Sequence, residues 1–292
     1  MSELEEYLND SLSRLYTLEP SSIHDGLQRL DALLGQLCVQ TNNHKKSKML
    51  SQYKDGRNLK SQYNHLKRWK VPDEDDAIFG EFIKLQNSFE YNIATGMIFC
   101  LNQFNIKTNN KGNIYPQEFI LLAHKVLQGV LLLHPESRNL FFREANMKLL
   151  LSFLVNYKHY MPSVQCSAVQ TFVCCLVRSV KNLRKFETLG GVEITCNLFN
   201  KKSTSKEVKL KILEFLFFYL IPETNINLEK SFEMDLDESV ILNQSKHLYK
   251  DGYIRRTMKE KAANLKQYIA NVDDLVQELV TSKPFGEMNI EW

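Results

Sequence analysis

The 292-residue chain is 43% hydrophobic and 24% charged, enough material to bury roughly 75% of its unfolded surface. Its 11 Gly and 7 Pro exclude collagen-like, low-complexity and largely disordered classes and disfavour a Gly-rich nucleotide cradle. A net charge of +3, from 37 cations and 34 acids, announces neither nucleic-acid nor membrane binding.

Leu4, Leu8, Leu12 and Leu15 step by three and four, the spacing of one helical face. Pro20 ends that segment. Ser22 is placed to cap a second helix, with Asp25 three residues on and Ile23, Leu27, Leu30, Leu34 and Leu37 as its apolar stripe. Between Asn42 and Lys70, nine cations face the single acid Asp55 and the apolar period vanishes, so a basic inserted loop is expected over about 42–72. The run Asp73 to Asp76 then suits the positive end of the next helix.

Helical periodicity dominates from Ala77 onward, interrupted by the turn-rich Lys107 to Pro116. A helix over Gln117 to His134 stops at Pro135, because proline disfavours a helical residue before it, and Ser137 is placed to cap the next one. Strand alternation bounded by tight turns is missing, so an all-α fold is expected. Thr224 to Lys250, with Glu229, Glu233, Asp235, Asp237 and Glu238, marks an acidic inserted loop over about 224–252. A long amphipathic helix is expected at about Lys259 to Ser282, with Leu265, Tyr268, Val272, Leu275 and Leu279 as its seam.

Internal repetition is the strongest signal. Phe141, Met147, Leu150 and Leu154 recur 45 residues later as Phe186, Val192, Thr195 and Phe199. Val164, Ala168, Phe172 and Leu176 recur 44 residues later as Val208, Ile212, Leu216 and Leu220. The same offset backward gives Ile120, His124, Gln128 and Leu132 as a weaker third copy. A period near 44 belongs to armadillo and HEAT repeats, which bury their apolar faces by stacking. Gly190 and Gly191 sit where such repeats turn tightly. The expected architecture is one armadillo/HEAT-like helical repeat solenoid spanning 1–292, interrupted by the two charged loops and closed by a C-terminal amphipathic helix.

Chemistry is thin. Phosphate-loop, dinucleotide, kinase, zinc-protease and nucleophile-elbow motifs are missing, and no Cys is followed six positions on by Arg, as a cysteine phosphatase would require. The seven His lack metal-ligand spacing, and the six Cys lie in apolar stretches without a Cys-x-x-Cys pair, as buried thiols of a reducing compartment do. A non-enzyme without metal or cofactor is expected. The acidic N-terminus lacks a targeting pattern, and the longest uncharged run, His159 to Val177, is too polar to span a membrane. Tyr53, Tyr63 and Trp69 in the basic loop raise RNA or lipid binding, but a solvated insertion is the simpler reading and nucleic acid is not expected as a partner.

Two segments invite a protein partner. Ile212 to Pro222 is apolar nearly all round; intramolecular burial is the default, but Phe215, Phe218 and Tyr219 are candidate anchors, with Tyr268 and Leu275 of the last helix. Thr257, behind Arg255 and Arg256, is a candidate site for a basic-directed kinase.

Lys211 to Glu223 (KILEFLFFYLIPE), Arg256 to Lys261 (RTMKEK), Tyr268 to Leu275 (YIANVDDL) and Pro284 to Gly286 resemble the fungal cell division control protein 14 family of the septation initiation network, which is distinct from the phosphatase of the same number. Phe82 to Ser88 with Tyr91 and Asn92, and Gly129 to Ser137, fit the same pattern, so the resemblance runs from about Leu18 to Gly286 apart from the charged loops. It implies a non-catalytic subunit that binds the helical, non-catalytic region of a germinal-centre-type protein kinase, with no oligomer beyond that heterocomplex. It further implies residence in the cytoplasm, recruitment to the spindle pole body, and a role in cytokinesis and septum formation. The alternative is a generic armadillo-type scaffold for another peptide.

Overall fold

In the computed structural model, residues 2–17, 19–38, 72, 75–109, 115–155, 159–223 and 252–282 are described. The expected basic loop, apart from Pro72, and the expected acidic loop, apart from Gly252, lie outside them. Among the described residues there are twelve α-helices, one 3-10 helix and no strand. The chain is all-α, of helical-repeat type, and divides into two compact units, Met1–Leu140 and Phe141–Trp292.

The first unit holds α1 (Glu3–Leu15), α2 (Pro20–Leu37), α3 (Ala77–Asn87), α4 (Ile93–Asn109) and α5 (Gln117–Leu133). Ser2 and Glu5 close a capping box over α1, whose four predicted leucines are all buried. Pro20 does not end α1 but opens α2: its ring presets a helical φ and its missing N–H falls where a helix has a donor to spare. Ser22 is therefore inside the helix rather than its cap. Asp76 caps α3 directly, its Oδ1 accepting from the amides of Ile78 and Phe79 at 3.1 and 3.2 Å.

The predicted third repeat copy holds only at its start. Ile120 and His124 are buried, but Gln128 is half-buried and Leu132 is 52% exposed. Successive four-residue steps advance about 40° around a helix, so three steps stay interior only where neighbours cover a wide arc, as they do on α7 and α10. The buried stripe of α5 instead runs through Leu127 and Leu131.

The 3-10 helix Pro135–Phe142 spans the boundary of the two units, and the second unit continues with α6 (Glu144–Val155), α7 (Pro162–Leu176), α8 (Val180–Thr188), α9 (Gly191–Asn200), α10 (Lys206–Leu220), α11 (Met258–Leu265) and α12 (Val272–Ser282). An offset of 45 residues carries the 3-10 helix onto α8 and α6 onto α9, one of 44 carries α7 onto α10, and α6 packs on α9 as α7 packs on α10. Each repeat therefore has three helical segments, with its first marked in sequence by Phe141 and Phe186, both fully buried.

Between α8 and α9, Gly190 takes φ +75°, open to glycine without the steric cost a side chain brings. A Cβ on Gly191 would stand 2.3 Å from the ring of Phe186, so glycine here lets the α9 backbone lie against that ring.

The expected single C-terminal helix is two helices. Asn271-Val-Asp-Asp274 is itself a helix start, with Asp273 and Asp274 in the first turn of α12. The Tyr268 carbonyl, in the intervening turn, accepts from Asn200 Nδ2 at 2.8 Å, and Lys266 pairs with Asp273 at 2.7 Å across it. The apolar seam survives the break: Leu265, Val272 and Leu279 are fully buried, with Tyr268 and Leu275 half-buried.

Candidate interaction surfaces and the buried ionic staple

Helix α10 was expected to be apolar on most sides, and its packing explains why. It contacts α7, α9, α11 and α12, so most of its circumference is interior. Phe215, Phe218 and Tyr219 are 1%, 4% and 0% exposed. Phe215 packs edge-on against Phe186 at 5.6 Å and against Phe218 at 6.1 Å, and Phe186 in turn meets Phe172 at 5.1 Å. These three candidate anchors are thus core residues of the second unit, and only their intramolecular reading matches their position.

The Tyr219 hydroxyl opens a polar cluster inside this apolar surround. It donates to Glu187 Oε1 and accepts from Asn264 Nδ2, each at 2.8 Å. Glu187 Oε2 takes Arg184 at 2.5 Å and Arg256 at 2.7 Å. Arg184 reaches across to Glu223, whose side chain is fully buried. Lys261, also fully buried, pairs with Glu223 Oε1 at 2.9 Å and donates to the Ile221 carbonyl at 2.6 Å. The backbones of Glu223 and Arg256 join as well, Glu223 N–H to Arg256 O at 2.9 Å and Arg256 N–H to Glu223 Oε2 at 3.0 Å.

Burial pushes the Lys261 ammonium down to about 8, against the attraction of Glu223. Burial pushes the Tyr219 hydroxyl up, with the Glu187 charge adding to the effect. At Arg184 burial opposes the charge, but Glu223 and Glu187 outweigh it and hold the guanidinium protonated. A buried charge is tolerated only when paired and hydrogen-bonded, and here each carboxylate serves at least two cations. The staple ties α8, α10, α11 and the two ends of the stretch 224–251 into one body. Sequence reading missed it as a cluster, although Glu223, Arg256 and Lys261 all lie in the segments quoted for the family resemblance.

Thr257 forms the cap of α11 in a capping box with Glu260: the Glu260 amide donates to Thr257 Oγ1 at 3.2 Å, and the Thr257 amide donates to Glu260 Oε2 at 2.8 Å. It is half-buried, next to the Arg256 that the staple engages. On α12, Leu275 and Val276 are half-buried and Val280 is 52% exposed, leaving apolar area uncovered by described residues.

In the first unit, His134 and Ser137 meet as a base and a hydroxyl, Nδ1 to Oγ at 2.8 Å. Their surroundings are structural. Both are buried, Ser137 Oγ accepts from Asn92 Nδ2 at 3.1 Å, and His134 Nε2 lies 3.1 Å from Asn87 Oδ1. Burial lowers the His134 pKa, against the attraction of Glu136. Ser137, expected to cap a helix, instead completes this network. Gln86 and Asn92 secure the adjoining turn: Gln86 Oε1 accepts from the Ile93 amide at 2.9 Å and Asn92 Nδ2 donates to the Gln86 carbonyl at 2.7 Å.

All six cysteines are free thiols, and burial pushes Cys100 and Cys196 up to about 12, far from the reactive thiolate. Among the described residues, no three His, Cys, Asp or Glu converge as a metal site, and no helix is long and apolar enough to cross a membrane.

The profile of the family described as Cell division control protein 14, SIN component, matches residues 4–285. The Cell division control protein 14 of Schizosaccharomyces pombe (strain 972 / ATCC 24843) is 31% identical over 224 residues, covering 75% of this chain and 83% of that protein. No solved structure matches. Family coverage of nearly the whole chain, with the α3–α4 turn and the staple explaining the segments first noticed, leads to one conclusion: the chain belongs to the Cell division control protein 14 family of SIN components, acting in cell division.

Proposed function

We propose that this chain is a non-catalytic adaptor of the septation initiation network that binds the non-catalytic helical region of a germinal-centre-type protein kinase, catalysis belonging to the partner. In this reading it resides in the cytoplasm, is recruited to the spindle pole body, and promotes cytokinesis and septum formation. The family membership supports the setting, and one observation supports the mode: α12 offers Leu275, Val276 and Val280 beside Tyr268 as apolar area for another helix, while the apolar face of α10 is covered by the chain's own helices. Thr257 is the candidate regulatory phosphosite.

Co-expression of the chain with the kinase tests the proposal by size-exclusion chromatography at micromolar concentration. Co-elution is expected for the native pair, with loss of co-elution on Leu275→Asp plus Val280→Asp and an unchanged far-ultraviolet dichroism spectrum. Separate elution of the native proteins would overturn the kinase-adaptor reading.

A further inference from the structure

Helix α8 has two lives around its circumference. Arg184 and Glu187 turn into the staple, while Lys181 and Lys185, one turn apart, both reach the ring of Phe142, with Nζ at 5.9 and 5.1 Å from its centroid. Phe142 is 41% exposed, and Tyr253 meets it edge-on at 6.4 Å. Arg143 follows it in sequence and is exposed. No carboxylate lies within salt-bridge distance of Arg143, Lys181 or Lys185 among the described residues. The near acid, Glu144, is engaged by Lys148 at 2.5 Å; its carboxyl pKa is lowered chiefly by that bond, with Lys185 contributing through space.

We propose that Phe142, Arg143, Lys181 and Lys185 form a docking patch for a phosphorylated segment of a partner protein. Two ammonium groups drawn to one ring repel each other, and a single carboxylate neutralises only one of them. A phosphoserine or phosphothreonine brings about two negative charges and three acceptor oxygens to one point, matching two convergent ammoniums and leaving an oxygen for the guanidinium of Arg143. The exposed Phe142 face supplies an apolar platform for the residue next to the phosphate. One ring with three cations is too short a track for a nucleic-acid backbone, which needs a longer groove and successive stacking rings.

The probe is a degenerate peptide library with a fixed central phosphoserine, immobilised beside its dephosphorylated copy and a copy with glutamate at the centre. The full chain is expected to be retained at least about tenfold more on the phosphorylated library than on either control, with retention falling as salt rises. Lys181→Ala with Lys185→Ala is expected to abolish the preference, and Lys181→Arg with Lys185→Arg to keep it, each with an unchanged melting curve. Equal retention on the three libraries, no retention on any, or a preference that survives the double alanine variant would overturn the proposal. So would binding to anionic vesicles or RNA without binding to the phosphorylated library.

Discussion

The Glu223 carboxylate and the Lys261 ammonium face each other at 2.9 Å with neither side chain exposed to solvent, 38 residues apart in sequence and on either side of the stretch 224–251. Removing one partner strands the other in an apolar surround. Glu223→Ala is expected to lower the stability of the second unit by ~3–5 kcal/mol in urea titrations, because Arg184 and Lys261 lose their shared anion. Glu223→Leu with Lys261→Met should lose much less than the two single changes summed, a coupling that a double-mutant cycle reads directly.

Gly191→Ala drives a methyl into the Phe186 ring and is expected to cost ~1–3 kcal/mol. Phe186→Leu in the same chain should recover part of that loss, since the smaller side chain opens the space the methyl needs. Additive losses in thermal melts would contradict the contact as the reason for glycine at this position.

His124 is fully buried and burial pushes its pKa down to about 3, from an ordinary value of 6.5. The unfolded chain takes up a proton below 6.5 that the folded one refuses until about 3, so stability present above 6.5 is lost as the pH falls through that window. The slope from this one group is up to ~1.4 kcal/mol per pH unit. Denaturant titrations of the native chain between pH 7 and pH 4 should show the decline, and His124→Leu should make it shallower, leaving the share of His134, whose pKa burial also lowers.

Thr257→Val removes the hydroxyl that accepts from the Glu260 amide and is expected to cost ~1 kcal/mol. Phosphorylation of the same hydroxyl by a basic-directed kinase in vitro would set a dianion against Glu260 and beside Arg256, in competition with Glu187 for that guanidinium. The expected outcome is a single phosphate mapped to Thr257 by mass spectrometry and a lowered melting temperature. Thr257→Ala should remove the modification, and a phosphate mapped elsewhere would dismiss this site.

The repeat was legible because burial acts on the same positions in each copy: Val164, Ala168, Phe172 and Leu176 and their counterparts Val208, Ile212, Leu216 and Leu220 are all interior. The candidate site was less so. The density of large side chains on α10 could not separate a helix enclosed by its own chain from one awaiting a partner, and Phe215, Phe218 and Tyr219 are all enclosed. The C-terminal break escaped notice because its turn preserves the apolar spacing on both sides. The staple is not legible because its charges come from three separate segments, brought together only by the packing of α8, α10 and α11. Nothing in the sequence marks Lys181 and Lys185, which meet only through the Phe142 ring that the fold places beside them.

The bond between the Glu223 and Arg256 backbones has a practical meaning for anyone wishing to label this protein. The two strands of chain entering and leaving 224–251 are clasped before the stretch begins and after it ends, so the repeats do not register its length. A fluorescent domain or affinity tag spliced into that stretch should therefore report on the intact molecule, with both termini left as they are.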